Sequence, residues 1–492
     1  MVVRNRGTFL LLLVAFCYGV TMAMGLREEK DQARWRSQRE EMINKRKKES
    51  KSGSGRTGEN WFLLRDYKSI VETDAGAVRV VRTRGDSKNR PMHIGFVTME
   101  PNTLFIPQYL DSSLILFLHR GQARLGYICN DELTERQLGD GDVYRIPAGS
   151  AFYLENTGEG SRLEIISSID ASDSFGMGLF QSFFIGGGTY PTSVLSGFEP
   201  QTLTTSFNVS MDEIRKIMSK TRRGPFVHVN EKSPSTWTKF LKQKQGDRLQ
   251  HLKRIVETHR EDEISQVQEQ PKFSWRRLLG SMLGQKINLK TDNNKCPQAY
   301  NLYSKNPDFS NNYGSSIALE RSDYSPLRHA GIGVYLVNLT AGAMMAPHVN
   351  PVATEYGIVL RGTGRIQIVH PNGTSAMNAK VRQGDVFWIP RYFAFCQIAS
   401  NSGPFEFFGF TTSAHRNRPQ FLVGANSLLH TLNGPELAAS LGVSEERVKR
   451  VLDAQHESVI LPAPAETRSE EKEKKKMMEK LAKLMNAGFA KF

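Results

Sequence analysis

Apolar residues in this chain gather in short runs of β-forming side chains with turn residues between them. Val78–Arg82, His93–Met99, Leu114–Leu118, Ala123–Ile128 and Leu163–Ile166 are such runs, all between Asn60 and Ser168. Many short strands at this spacing predict an all-β sandwich or barrel. The period then changes. Ser210-Met-Asp-Glu213 has capping-box form and precedes Ile214, Ile217 and Met218 at helical spacing, which predicts a helix after the strands. A second β-rich block begins at Cys296 and repeats the first. Gly141-Asp-Val-Tyr-Arg-Ile-Pro147 returns as Gly384-Asp-Val-Phe-Trp-Ile-Pro390, and Arg120-Gly121 returns as Arg361-Gly362. The helix that opens Val209-Ser-Met-Asp-Glu returns as Val443-Ser-Glu-Glu-Arg. Anchors at nearly constant separation mark an internal duplication: two β domains, each with a small helical extension.

The polar stretches set the boundaries. Residues 60–230 make the first domain with its helix and residues 296–465 the second. Between them, residues 231–295 are rich in Lys, Arg, Gln and Glu and read as a charged, protease-sensitive linker with a helix over Arg248–Thr258. Residues 26–59 form a charged N-terminal arm and residues 466–492 a Lys/Glu-rich tail. Residues 1–25 read differently. Arg4 and Arg6 precede a short apolar run, Thr8–Gly19, and Ala23-Met24-Gly25 supplies the small residues that a signal peptidase recognises. The run is too short for a comfortable membrane span. The expectation is a secreted chain, with no membrane partner once the signal is removed.

Composition narrows the functional classes. The chain has 492 residues, 39% of them hydrophobic and 23% charged, with a formal charge of +15. Such a balance fits globular domains and excludes a multispan membrane protein. The basic runs Lys45–Lys48 and Lys474–Lys476 alternate with Glu and lack interleaved aromatic platforms, so no nucleic-acid partner is expected. Of four cysteines, Cys17 leaves with the signal, and Cys129, Cys296 and Cys396 allow one disulfide within the chain at most. Asn208, Asn338 and Asn372 head glycosylation sequons; Asn372 lies in a Pro-Asn-Gly turn, whereas Asn338 lies in an alternating strand that occlusion would silence. Gly186-Gly-Gly188 lacks the lysine and context of a phosphate loop and reads as a turn. His370, at a hairpin turn, reads as solvated. There is no G-x-S-x-G elbow and no HExxH.

The second block carries Gly342-Ala-Met-Met-Ala-Pro-His348-Val-Asn350-Pro-Val-Ala-Thr-Glu355-Tyr-Gly-Ile-Val-Leu-Arg-Gly362. Together with Gly384–Pro390 it resembles the paired signature of the cupin family, whose fold is a small jelly-roll barrel. The resemblance implies two jelly-roll barrels, with a metal or small ligand held by inward-facing residues. Metal-binding cupins generally use three histidines and a glutamate. Here His348 and Glu355 are kept, Asn350 stands at the second histidine position, and Phe395 stands where the last histidine is expected, beside Cys396. His348, Glu355 and Cys396 are therefore the candidate ligands for copper or zinc, since thiolate and imidazole suit both. In the first block the corresponding positions are Pro107, Tyr109, Leu114 and Phe152. That barrel is expected to hold apolar side chains and no metal.

Tyr300-Asn-Leu-Tyr-Ser-Lys-Asn-Pro-Asp-Phe-Ser-Asn311-Asn-Tyr-Gly314 resembles the opening of the second domain in plant vicilins, the trimeric seed storage globulins. The resemblance spans roughly residues 60–465. It implies a non-catalytic nutrient reservoir, delivered through the secretory pathway to a storage vacuole or protein body, or to the extracellular space. It also implies a homotrimer clasped by the helices after each barrel, with apolar positions such as Val448, Val451 and Leu452 facing the next subunit. The competing readings are a metal- or sugar-binding cupin, with His348, Glu355 and Tyr392 around the barrel mouth, and a germin-type metalloenzyme.

Overall fold

The computed structural model describes residues 59–82, 92–129, 132–170, 179–188, 190–219, 224–229 and 296–464. The signal segment, most of the arm, the linker with its expected helix and the tail lie outside these residues. The described residues from Leu63 onward form one compact unit that contains both barrels.

Each barrel is two antiparallel sheets face to face. In the first, one sheet runs in the order β14 (Tyr300–Asn301), β9 (Asp142–Ile146), β6 (Leu114–Arg120), β11 (Leu163–Ile169), β4 (His93–Met99), β3 (Gly76–Val81) and β2 (Tyr67–Glu72). Its companion runs β12 (Ser182–Phe184), β5 (Thr103–Leu110), β10 (Phe152–Asn156), β7 (Ala123–Cys129) and β8 (Glu132–Leu138), with β13 (Phe226–His228) joining β5. The second barrel repeats this plan. Its larger sheet runs β1 (Leu63–Leu64), β23 (Val386–Ile389), β20 (Glu355–Arg361), β25 (Phe405–Thr411), β17 (Gly333–Leu339), β16 (Gly314–Leu319) and β15 (Phe309–Asn311). The other runs β22 (Ser375–Arg382), β21 (Thr363–Val369), β24 (Ala394–Ala399), β18 (Ala343–Met345) and β27 (Ile460–Pro462), with β19 (His348–Val349) between β24 and β26 (Gln420–Phe421).

The β-rich runs of the sequence lie in strands, the first ending at Val81 rather than Arg82, and the duplicated motif proves to be turn chemistry. Gly141 and Gly384 precede β9 and β23 with φ of 87° and 88°, a left-handed geometry that favours glycine. The aspartate after each glycine closes its turn: Asp142 Oδ2 accepts from the Gly139 N–H at 2.7 Å and Asp385 Oδ2 from the Arg382 N–H at 3.0 Å.

Two features bind the halves together. The larger sheets meet back to back, so their central strands are buried on both faces. Ile115, Phe117 and Ile166 of the first barrel share one core with Tyr356, Ile358, Leu360 and Phe408 of the second. Phe117 and Phe408 stack with ring centroids 3.9 Å apart. The halves also exchange their first strands. Leu63 and Leu64 pair with Phe387 and Val386 on the second barrel, while Tyr300 and Asn301 pair with Val143 and Asp142 on the first. A disulfide from Cys129 on β7 to Cys296 anchors the approach to β14, leaving Cys396 as a free, buried thiol. Arg136 adds hydrogen bonds to the Cys296 and Pro297 carbonyls.

Helices follow each barrel. Ser210 Oγ accepts from the Glu213 N–H at 3.3 Å before helix Met211–Ser219, and Ser444 Oγ accepts from the Arg447 N–H at 3.4 Å before helix Glu445–Asp453. In the latter Val448 is buried against its own chain and Leu452 is half-buried, so of the three apolar positions expected to face a neighbour only Val451 is fully presented, 66% exposed. The reason is helical spacing: Val448 and Leu452 lie one turn apart on the same face.

Candidate functional site in the second barrel

The interior of the second barrel holds the polar residues singled out from the sequence. His348, on β19, is buried between two rings, with centroids 4.0 Å from Phe395 and 5.1 Å from Phe421. Its Nδ1 lies 2.7 Å from the Ala346 carbonyl oxygen. A carbonyl only accepts, so Nδ1 carries the proton and Nε2 keeps its lone pair. Burial pushes the imidazole down to about 4, against the raising effect of that hydrogen bond, so the ring is neutral at physiological pH.

Glu355 begins β20 and points inward, because Tyr356, Ile358 and Leu360 on the alternate positions face the other barrel. Burial raises its carboxyl to about 7, with the hydrogen bond from Asn350 opposing. Asn350 has no capacity to spare. Its Nδ2 donates to Glu355 Oε1 at 2.7 Å and to Asn417 Oδ1 at 2.8 Å, and its Oδ1 accepts from the N–H groups of Val352 and Ala353 at 3.0 and 2.9 Å. Both donors and both lone pairs are used. The residue at the second histidine position therefore ties the loop at the barrel mouth to Glu355. Tyr392, 60% exposed, takes a left-handed conformation, φ 75°, with its N–H on the Asn350 carbonyl at 3.0 Å and the Arg391 guanidinium 4.7 Å from its ring.

Cys396 does not join His348 and Glu355. On β24, Phe395 is paired with His348 and with Ile368, both of which face the interior. Its neighbour Cys396 is paired with Gln367 and faces the other side of the sheet, with Sγ 3.7 Å from Gln367 Oε1. Side chains alternate along a strand, so adjacent residues cannot both enter the barrel. Burial also pushes the thiol up to about 11, far from a thiolate. Among the described residues no group of three or more His, Cys, Asp or Glu side chains is placed to hold a metal. The expected copper or zinc ligand set of His348, Glu355 and Cys396 thus does not fit an ion: Cys396 lies on the wrong face, Asn350 is saturated, and Phe395 fills the remaining position.

In the first barrel the structure corrects the alignment of the halves. Phe152 pairs with Gln108, not Pro107, and Leu154 pairs with Phe105. Two residues along β10 thus span three along β5: a bulge, which inverts the alternation from there on. Proline lacks the N–H that a regular ladder needs, and Pro107 sits in that irregular segment. Tyr109 consequently points away from the interior and stacks on Phe183 at 4.9 Å. Gln108 and Leu110 line the interior instead. The bulge that sets this inward phase was not legible from the sequence.

The sequon asparagines Asn208, Asn338 and Asn372 are all exposed, including Asn338 on β17. Gly186 lies in a bend and Gly188 forms an isolated bridge with Thr192, and His370, expected to be solvated, is half-buried with its ring 5.9 Å from Phe393.

Comparison with known proteins agrees with this architecture. The cupin family model matches residues 63–215 and 300–449. The vicilin-like seed storage protein At2g28490 of Arabidopsis thaliana is 55% identical over 84% of this chain and 81% of its own length. A second Arabidopsis thaliana vicilin-like seed storage protein, At4g36700, is 31% identical over 80% of this chain and 73% of its own. Among solved structures, the vicilins of Corylus avellana and Capsicum annuum superpose with TM-scores of 0.65 and 0.66, at 20% and 18% identity, over 82% of this chain and all of theirs. With its duplicated barrels and this similarity across both of them, the chain belongs to the vicilin-like seed storage proteins of the cupin family.

Proposed function

We propose that this protein is a seed reserve, laid down as a dense, soluble assembly and consumed later. It is not an enzyme. The observation that carries the reading is the 55% identity to a vicilin-like seed storage protein across both barrels. The physical design suits the role. Two barrels share one core, exchange strands and are stapled by a disulfide, so a large mass of amino acids packs compactly. The disulfide supports passage through an oxidising compartment, as does the signal-like N-terminus, and a storage vacuole or protein body is the proposed destination. A homotrimer is the proposed state, supported by apolar side chains exposed on the helical extensions: Phe207, Ile217, Leu441 and Val451 are each more than half exposed. Metal chemistry forms no part of the proposal, since the donor set does not converge. Quantifying the protein through seed maturation and germination tests the reading. Accumulation among the abundant seed proteins followed by depletion is expected; trace levels that persist after germination would reject it.

A further inference from the structure

The dipeptide Asn-Gly occurs twice in the chain, at Asn372-Gly373 and Asn433-Gly434, and both copies are exposed at the asparagine. Glycine after asparagine leaves the next peptide nitrogen unshielded by a Cβ and the backbone free to turn, so that nitrogen can reach the side-chain amide carbon. As sequence the two copies are equivalent. The fold treats them differently. At the first, the Gly373 N–H donates to the His370 carbonyl at 2.9 Å, closing the hairpin turn. Asn372 Oδ1 accepts from the Thr374 N–H at 3.2 Å and from Thr374 Oγ1 at 2.7 Å. Both partners of a ring closure are thus held in place. Asn433 instead lies in the link between helix Leu428–Thr431 and helix Pro435–Leu441. Among the described residues, neither its side chain nor the Gly434 N–H makes a hydrogen bond. Gly434 is extended, φ 175°, and a Cβ built on it would meet only Glu436 Oε2 at 3.3 Å and the Leu432 carbonyl oxygen at 4.0 Å. This peptide has room to pivot, and a carboxylate stands beside it.

We propose that Asn433 is a site of spontaneous deamidation in the folded protein, and that the hairpin turn protects Asn372 from the same reaction. The Gly434 nitrogen bonds to Asn433 Cγ and gives up its proton to water or to the Glu436 carboxylate. The Cγ–Nδ2 bond breaks and the nitrogen leaves as ammonia, which closes a succinimide. Water then opens one or the other ring carbonyl, giving aspartate or isoaspartate; nothing is oxidised or reduced. Each event replaces a neutral amide with a carboxylate directly after Leu432, which is 55% exposed. A chain kept for a long time therefore gains negative charge on its second helical extension. The chemistry rests on no part of the storage reading, and either survives the failure of the other.

The test incubates the full chain, produced without glycans, in heavy-oxygen water at neutral pH, beside two synthetic peptides that carry residues 428–438 and 367–378. Mass spectrometry follows both asparagines, with isoaspartate separated by chromatography. In the folded chain Asn433 should convert at least about tenfold faster than Asn372, whereas the two peptides should convert within about threefold of each other. Gly434→Ala, which the extended backbone accommodates, should slow conversion at Asn433 by at least about tenfold without lowering the melting temperature. Asn372 converting as fast as Asn433 in the folded chain, Asn433 intact after its peptide has converted, or an unchanged rate in Gly434→Ala overturns the proposal. So does a difference between the peptides as large as that in the folded chain, because the fold would then contribute nothing. Should Gly434→Ala fail to fold, the two asparagines of the parent chain and their peptides decide alone.

Discussion

Glu355 and His348 are buried in one barrel and pull its stability in opposite directions with pH. The fold raises Glu355 from 4.5 to about 7, so it prefers the protonated carboxyl; that contribution is present at acid pH and is lost as pH rises from 4.5 through about 7. The fold lowers His348 from 6.5 to about 4, so it prefers the neutral ring; that contribution is present above 6.5 and is lost as pH falls through about 4. Across the interval they share the two nearly offset, and the parent protein should show a shallow dependence. Glu355→Gln keeps an acceptor for Asn350 and removes the charge. It should stabilise the protein by up to about 3 kcal/mol near pH 8 and change little near pH 4.5, measured by urea unfolding at both values. Equal effects at the two would show that the carboxyl is not held against its charge. Single residues were legible from sequence only by type. His348 and Glu355 read correctly as inward polar groups, but the saturation of Asn350, the outward face of Cys396 and the inward face of Gln108 depend on partners far along the chain or on strand phase.

At the scale of elements, the exchanged first strands decide how the halves cooperate. Leu302, just beyond β14, is 0% exposed in the core shared by both barrels, and its N–H donates to the Gly141 carbonyl at 2.8 Å. Truncating it removes packing at the seam rather than within one barrel. Leu302→Ala should cost about 2–5 kcal/mol and should lower a single melting transition in which both barrels unfold together. Two separated transitions in calorimetry would mean that the shared core does not couple them. The elements themselves were largely legible, since β-rich runs and serine caps are local signals. The continuous apolar run Leu114–Leu118 was readable as a strand, but not that its second face meets another barrel; a strand buried on both sides loses the alternation that would mark a solvent face.

At the scale of the molecule, the exposed apolar residues on the helical extensions are the surface that a trimer would cover. Ile217 is 56% and Val451 66% exposed, and both sit on helices flanked by charge. The paired change Ile217→Glu and Val451→Glu places charges where an interface would be desolvated. Light scattering should report three chains for the parent and a smaller species for the variant, with the circular dichroism melt of the barrels retained. A parent that elutes as a single chain, or a variant still at three chains, would place the assembly surface elsewhere.

By itself the sequence determined the duplication, the β class, the capped helices and the family, because all of these are written in local period, turn chemistry and repeated motifs. Only the tertiary structure decided which cysteines join, which strands change partners, which way Cys396 faces and that Gln108 enters the first barrel. The physical reason is one of range. A residue's period and its turn depend on neighbours a few positions away, whereas pairing and burial depend on residues hundreds of positions apart, as Cys129 and Cys296 are at a separation of 167, and one bulge on β5 is enough to reverse the inward face.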